Sequence, residues 1–158
     1  MPSPKHPPTF IWRLMRRMSR RVIRLVAAGR GPAVVLVLTT TGRKSGLPRQ
    51  TPLQYEQVGD DFYIASARGP GADWFRNLQA EPRVAVLVGG RQFPAQAEAV
   101  TDPARIADFL ALRLQRRPRM VGLIMRLEGF PLRYTRADLE QFAAGKALAV
   151  LHPLPPAE

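Results

Sequence analysis

Between Phe10 and Ala28, apolar residues recur three and four positions apart: Ile11, Leu14, Met15, Met18, Val22, Leu25 and Val26. At 100° per residue they share one face. Arg13, Arg16, Arg17, Arg20, Arg21 and Arg24 fall opposite, which predicts an amphipathic helix. Gly29 and Gly31 end it, and Pro32 keeps it from resuming.

From Ala33 the period changes. AVVLVLTT is a β-branched run that reads as a buried strand. The loop TGRKSGLPRQ separates it from a second strand near Thr51–Val58. Gly59-Asp60-Asp61 turns that strand into FYIAS, a hairpin. ARGPGA reads as loop, and DWFRNLQA as a short helix closed by Glu81-Pro82. RVAVLV, the turn Gly89-Gly90 and RQFPAQAEAV form another hairpin, in which Pro94 confines the second strand to an edge or a bulge. Thr101 or Asp102 caps a helix reaching about Arg117, where Pro118 stops it. MVGLIMRL fits either element type. TRADLEQFAA is a capped helix and ALAVLHP a last strand. Five or six mostly antiparallel strands with peripheral helices predict a small α+β barrel. The expected division is a basic helix and tail over residues 1–30, a barrel over 31–152, and a proline-rich tail over 153–158.

Composition narrows the classes. At 158 residues the chain is the size of one domain. It holds no run of eighteen apolar residues, so no membrane span is expected. Its lack of cysteine removes disulfides, thiol nucleophiles and thiolate metal sites. His6 and His152 lie at opposite ends, and no Ser/His/Asp triad or spaced carboxylate pair can be assembled. The expected compartment is the cytoplasm. Charge is unevenly placed: residues 1–55 carry eleven Lys or Arg and no acid, since Glu56 is the first carboxylate. That asymmetry points to an anionic partner, whether lipid headgroups, nucleic acid or a polyanionic cofactor.

Two loops carry candidate chemistry. In TTTGRKSGLPRQTPL, Arg43, Lys44 and Arg49 crowd a connection with no local acid. Gly42 and Gly46 allow tight turning, and Ser45 and Thr41 add hydroxyls, so the loop suits phosphate or carboxylate oxygens. A solvated basic turn would have the same composition. The second loop, Ser66-Ala67-Arg68-Gly69-Pro70-Gly71, precedes a helix N-terminus, where amides and the macrodipole favour anions. Trp74 and Asn77 share a face of that helix and border either the core or a pocket.

GRKSG-x-PR-x-TPL, then a hairpin, S-x-(K/R)-G, W-x-x-N-L and VAVLVGG together resemble the deazaflavin-dependent nitroreductase family. The similarity runs over about Val34–Ala99. It implies a split β-barrel related to the FMN-binding barrels, and coenzyme F420, a deazaflavin with a phosphate and an oligoglutamate tail. By motif position, Arg43, Lys44, Ser45 and Arg49 would hold the phosphate and carboxylates, and Thr51, Pro52 and Leu53 would line the deazaflavin. Ser66, Ala67, Arg68 and Gly69 would close the other side, with Trp74 and Asn77 supporting the wall. The family often has Lys and two glycines where this chain has Arg68-Gly69-Pro70-Gly71. Some relatives place a tyrosine directly after Pro-Leu, where this chain has Gln54 and then Tyr55.

The activity implied is hydride transfer from the reduced coenzyme to a quinone-, nitroaromatic- or enone-like acceptor, the cofactor carrying the chemistry. Tyr134, Tyr55 and Ser66 are the candidate proton donors beside water, and no metal is expected. A non-catalytic F420 carrier is the alternative, and FMN or another flavin the alternative cofactor. FMN has one phosphate, fewer anionic groups than three clustered cations need. Nucleic acid ranks last, because the basic third has few aromatics to stack bases. Residues 10–28 would lie on an anionic membrane surface, peripherally on the inner face, or pack on the barrel. Met120, Val121, Leu123, Ile124, Met125, Leu127 and Phe130, set among arginines, would roof a lipophilic pocket or cover the core. A monomer and a homodimer are equally compatible with these features.

Overall fold

A computed structural model of the chain describes residues 19–30, 34–66 and 68–155. Residues 19–27 are helical (α1), so the predicted helix is seen from Ser19, and its first part lies outside the described residues. Gly29 ends α1 at φ +71°, with the Arg30 amide donating to the Leu25 carbonyl at 2.8 Å. Val26 is buried, while Arg20, Arg21 and Arg24 are exposed.

Seven strands follow: β1 (Val35–Thr41), β2 (Pro48–Gln54), β3 (Glu56–Val58), β4 (Asp61–Ser66), β5 (Arg83–Val88), β6 (Arg91–Val100) and β7 (Ala147–Pro153). The helices are α2 (Asp73–Ala80), α3 (Pro103–Arg116), α4 (Pro118–Leu127) and α5 (Arg136–Ala143). The strand order is β2-β1-β5-β6-β7-β4-β3, and every pairing is antiparallel. The edge strands β2 and β3 are consecutive in the chain, separated by Tyr55 alone. One residue cannot bridge the ends of a flat seven-strand sheet, so the sheet curls into a barrel.

That crossing corrects the expected strand over residues 51–58. The Tyr55 amide bonds to Val34 at 3.0 Å, and the chain leaves one sheet edge for the other. Pro94 is also corrected: β6 is internal, pairing with both β5 and β7. The ladder to β7 starts at Ala95, so the proline sits where the missing donor costs least. The expected tail is shortened, because Leu154 still donates to the Pro94 carbonyl at 3.0 Å.

Two apolar clusters flank the sheet. The inner one packs Leu36, Leu38, Ile64, Phe75, Val86 and Leu151. The outer one sets Ile106, Phe109, Val121, Met125, Leu148 and Val150 under α3, α4 and α5. β7 serves both: Ala149 and Leu151 face inward, Leu148 and Val150 outward. This explains its continuous apolar run. Asp102 caps α3 by accepting from the Ala104 amide at 3.2 Å. Thr135 and Asp138 form a capping box on α5. The undecided MVGLIMRL is helical, begun by Pro118 at its first position. Among the described residues no helix is long and apolar enough to cross a membrane.

Candidate functional site

The turn between β1 and β2 is shaped by two glycines. Gly46 sits at φ +69°, and a Cβ on Gly42 would lie 2.5 Å from Ser45 Oγ and 3.2 Å from the Leu47 carbonyl. Gly42 donates to Leu47, and Gly46 to Gly42, both at 2.8 Å. Ser45 Oγ accepts from the Leu47 amide at 3.2 Å and from Arg49 Nη2 at 3.4 Å. Lys44 and Arg49 are exposed, and neither pairs with a carboxylate among the described residues. The turn therefore presents two cations and a hydroxyl on a rigid backbone.

Arg43 points the other way, onto α2. Asn77 Oδ1 accepts from the Arg43 amide at 3.2 Å and from its Nη1 at 2.9 Å, and Arg43 Nη2 pairs with Asp73 at 3.1 Å. Asn77 is buried and also donates to Thr40 Oγ1 at 3.4 Å. Arg43 and Asn77 thus meet as partners, locking the turn to the helix that follows the second loop. Trp74 is buried in the inner cluster, edge-on to Phe75 at 5.8 Å.

In the second loop Ser66 is buried and its hydroxyl donates to the Gly69 carbonyl at 2.7 Å. Gly69 has φ +63°, and a Cβ there would lie 2.7 Å from the Gly145 carbonyl oxygen. Arg68 is exposed at the start of the 3-10 turn Gly69–Gly71. Ala67 lies outside the described residues. On β2, Thr51, Pro52 and Leu53 are half-buried, with Leu53 packed on the inner cluster.

At the Gln54 end of β2, away from the basic turn at its Pro48 end and next to Ser66, a cavity of about 230 Å³ opens between the β2–β3 crossing, the ends of β4 and β7, and helices α3 and α4, and no residue from 42 to 53 lines it. Phe109, Leu110, Val121, Ile124, Met125 and Phe142 supply its apolar wall. Its polar lining includes Tyr55, Glu56, Ser66, Arg113, Arg117 and Lys146. Of the expected roof, Val121, Ile124 and Met125 line the cavity. Met120, Leu123 and Leu127 are exposed, and Phe130 is buried in the outer cluster. Among the three candidate proton donors, Tyr55 and Ser66 border the cavity. Tyr134 is half-exposed against Phe130 at 4.8 Å and is not part of the lining.

Sequence reasoning did not single out Glu56, Arg113 or Lys146. Glu56 is buried, with Arg113 Nε at 3.9 Å, Arg116 Nη1 at 3.2 Å and Arg117 Nη1 at 3.6 Å from its carboxylate. Burial pushes the Arg113 guanidinium below its ordinary range, opposed by the Glu56 charge. The only signal in the chain was the arginine run ending α3. Lys146 pairs with Glu128 at 3.1 Å and lies 4.4 Å above the Phe142 ring. A larger open groove, about 820 Å³, lies elsewhere, among Gln57, Phe62, Phe93 and Pro153. It contains no expected site residue, whereas Tyr55 and Ser66 line the smaller cavity.

A family model described as F420H(2)-dependent quinone reductase matches residues 12–120. F420H(2)-dependent quinone reductases from two strains of Mycobacterium tuberculosis are 40% identical over 70 residues, covering 41% of this chain and 46% of theirs. The matched stretch thus spans about half the length of those curated relatives. Among solved structures, an F420-H2 dependent reductase aligns with a TM-score of 0.51 at 20% identity, over 75% of this chain and 94% of that one. The heme storage protein HutZ of Vibrio cholerae aligns at 0.54 and 17% identity, over 85% and 92%. These two likenesses show a shared fold, the split barrel.

Proposed function

Because the chain belongs to the F420H(2)-dependent quinone reductase family, we propose that it binds coenzyme F420 and reduces a quinone-like lipophilic acceptor. The observation that carries this reading is the pair of exposed cations, Lys44 and Arg49, set on a glycine-shaped turn without carboxylate partners among the described residues. Such a donor set fits a phosphate and a string of carboxylates. Lys44, Ser45 and Arg49 would hold that tail, and Arg68 would add a cation from the second loop. Arg43 acts differently from the other cations. Its charge is matched by Asp73 and its position fixed by Asn77, so it anchors the turn. Thr51, Pro52, Leu53 and the Ser66–Gly69 segment would flank the ring system, with Trp74 stiffening the wall from the core.

When bound, the reduced coenzyme supplies hydride. The protein binds and orients both partners, and the apolar walls of the cavity exclude water from an acceptor of flat, lipophilic shape. Tyr55 and Ser66, which border the cavity, are the candidate proton donors beside water. A peripheral membrane role for residues 10–28 also belongs to this proposal. The exposed Arg20, Arg21 and Arg24 support it, while buried Val26 shows that the end of α1 packs on the protein itself.

The test is a fluorescence titration with the coenzyme, a tail-less analogue, FMN and FAD. Two exposed ion pairs are worth about 0.4–2 kcal/mol together. Lys44→Ala/Arg49→Ala should therefore weaken the coenzyme about 2- to 30-fold and leave the tail-less analogue unchanged. Equal losses for both would overturn the assigned roles. Tight coenzyme binding without turnover of quinone, nitroaromatic or enone acceptors would identify a carrier instead.

A further inference from the structure

Glu56 begins β3 immediately after the crossing at Tyr55, and its side chain is only 6% exposed. Three guanidinium groups from the end of α3 converge on it. Arg116 alone is within hydrogen-bonding distance, donating to Oε2 at 3.2 Å and to the Gln57 carbonyl at 2.9 Å. Arg113 Nε and Arg117 Nη1 stand 3.9 and 3.6 Å from Oε1, ion-pair distances without a hydrogen bond. Oε1 itself is buried, with no hydrogen-bond partner among the described residues.

Each guanidinium carries five N–H donors. Those of Arg113 and Arg117 form no hydrogen bond among the described residues, and both side chains line the cavity. Three cations against one carboxylate leave two positive charges in excess, and the Lys146 charge is already matched by Glu128. Neutralising Glu56 and the negative end of α3 requires only Arg116 and one more cation. A second anion in the cavity would relieve the desolvated Arg113, whose pKa burial has lowered.

We propose that Arg113 and Arg117 form an oxyanion subsite in the cavity, with Glu56 holding the two guanidinium groups in place. The ligand class is a quinone-like acceptor with a negatively charged oxygen. The inference rests on the quinone-reductase reading for its substrate class. Hydride delivery to a neutral quinone adds one negative charge, carried on oxygen until a proton neutralises it. Preorganised donors aimed at that oxygen stabilise the charge as it forms. A quinone already ionised at a ring hydroxyl would use the same donors in its ground state.

The experiment titrates the full chain, without coenzyme, by quenching of its tryptophan fluorescence. The probes are 2-hydroxy-1,4-naphthoquinone, an anion at neutral pH, and its neutral 2-methyl counterpart of similar size. At low salt the anion should bind about tenfold tighter or better, as charge-assisted hydrogen bonds predict. Arg113→Met and Arg117→Met should each lose about tenfold for the anion and less than about twofold for the neutral compound. Arg113→Lys should recover part of the loss, and the half-exposed Arg117 supplies a variant that folds if Arg113→Met does not. Equal affinity for the two probes, or equal losses in the variants, overturns the subsite. Coenzyme binding is read separately from its own fluorescence. Anion preference without coenzyme binding would sustain the subsite and sink the family-based function. Coenzyme binding without anion preference would do the reverse.

Discussion

Asn77 joins the basic turn to the scaffold, and removing its side-chain amide has a calculable cost. Asn77→Ala deletes the acceptor for the Arg43 amide at 3.2 Å and for Arg43 Nη1 at 2.9 Å. It also deletes the contact to Thr40 at 3.4 Å, too long to count for much. A neutral hydrogen bond contributes about 1 kcal/mol and one with a charged donor about 1.5–3 kcal/mol. The low end applies to the second, because Arg43 keeps Asp73 and its side chain is 20% exposed to water. The sum is about 2–3 kcal/mol. For a chain of this length that lowers Tm by about 5–10 °C. Asn77→Asp retains the acceptor for both Arg43 donors and should cost less than about 1 kcal/mol. Denaturant unfolding at unchanged m-value measures both variants. The same samples, titrated with coenzyme F420, should show weaker binding for Asn77→Ala although Lys44 and Arg49 are intact. A loss below about 1 kcal/mol for Asn77→Ala, or equal losses for Ala and Asp, would refute the assignment of Asn77 as the anchor.

Three further outcomes are expected. Gly69→Ala combines a positive φ with a Cβ 2.7 Å from the Gly145 carbonyl, and should cost at least about 2 kcal/mol by denaturant unfolding. Gly59→Ala shares the positive φ but meets nothing within 4 Å, so it should cost only about 1 kcal/mol. His152 bonds Glu98 through Nε2 at 3.1 Å and Asp61 through Nδ1 at 3.0 Å. Chiefly the Glu98 bond raises its pKa above the ordinary 6.5, against a smaller opposing effect of burial. A raised folded-state value means the stabilisation is complete below the ordinary value and disappears as pH rises through the raised one. The Tm gap between wild type and His152→Gln should therefore be widest near about pH 6 and narrow toward about pH 9. A gap that widens with pH would contradict this.

Much of the barrel was legible because its signals are local. β7 shows itself as an apolar run buried on both faces, α5 as Thr135 with Asp138, and the β1–β2 turn as Gly42 and Gly46 in a polar stretch. The undecided Met120–Leu127 stretch shows the limit of such signals. It is amphipathic, with Val121 and Met125 buried one turn apart, but an apolar run this short suits a buried strand as well as a helix. The break at Tyr55 was hidden because the residues on either side suit a strand and only the sheet's closure divides them. Within the site, the crowding of cations before Glu56 was visible, but the division of labour among them was not. Arg43 resembles Lys44 in sequence and differs through Asn77, thirty-four positions away. Glu56 and Arg116 are separated by sixty. Contacts of that range leave no mark on local composition.

The passage from Gln54 to Glu56 also ties cavity space to covalent length. Two Cα steps reach at most about 7.6 Å, and Gln54, Tyr55 and Glu56 all border the cavity. Along this flank, room in the cavity is therefore limited by the number of residues in a connection as well as by the bulk of their side chains. One inserted residue would lengthen this flank of the chamber while the pairing of Glu56 with Tyr63 kept its side chain where it is. Relatives that accommodate bulkier molecules would then differ from this chain by a gap in an alignment, a trace that substitution patterns alone would miss.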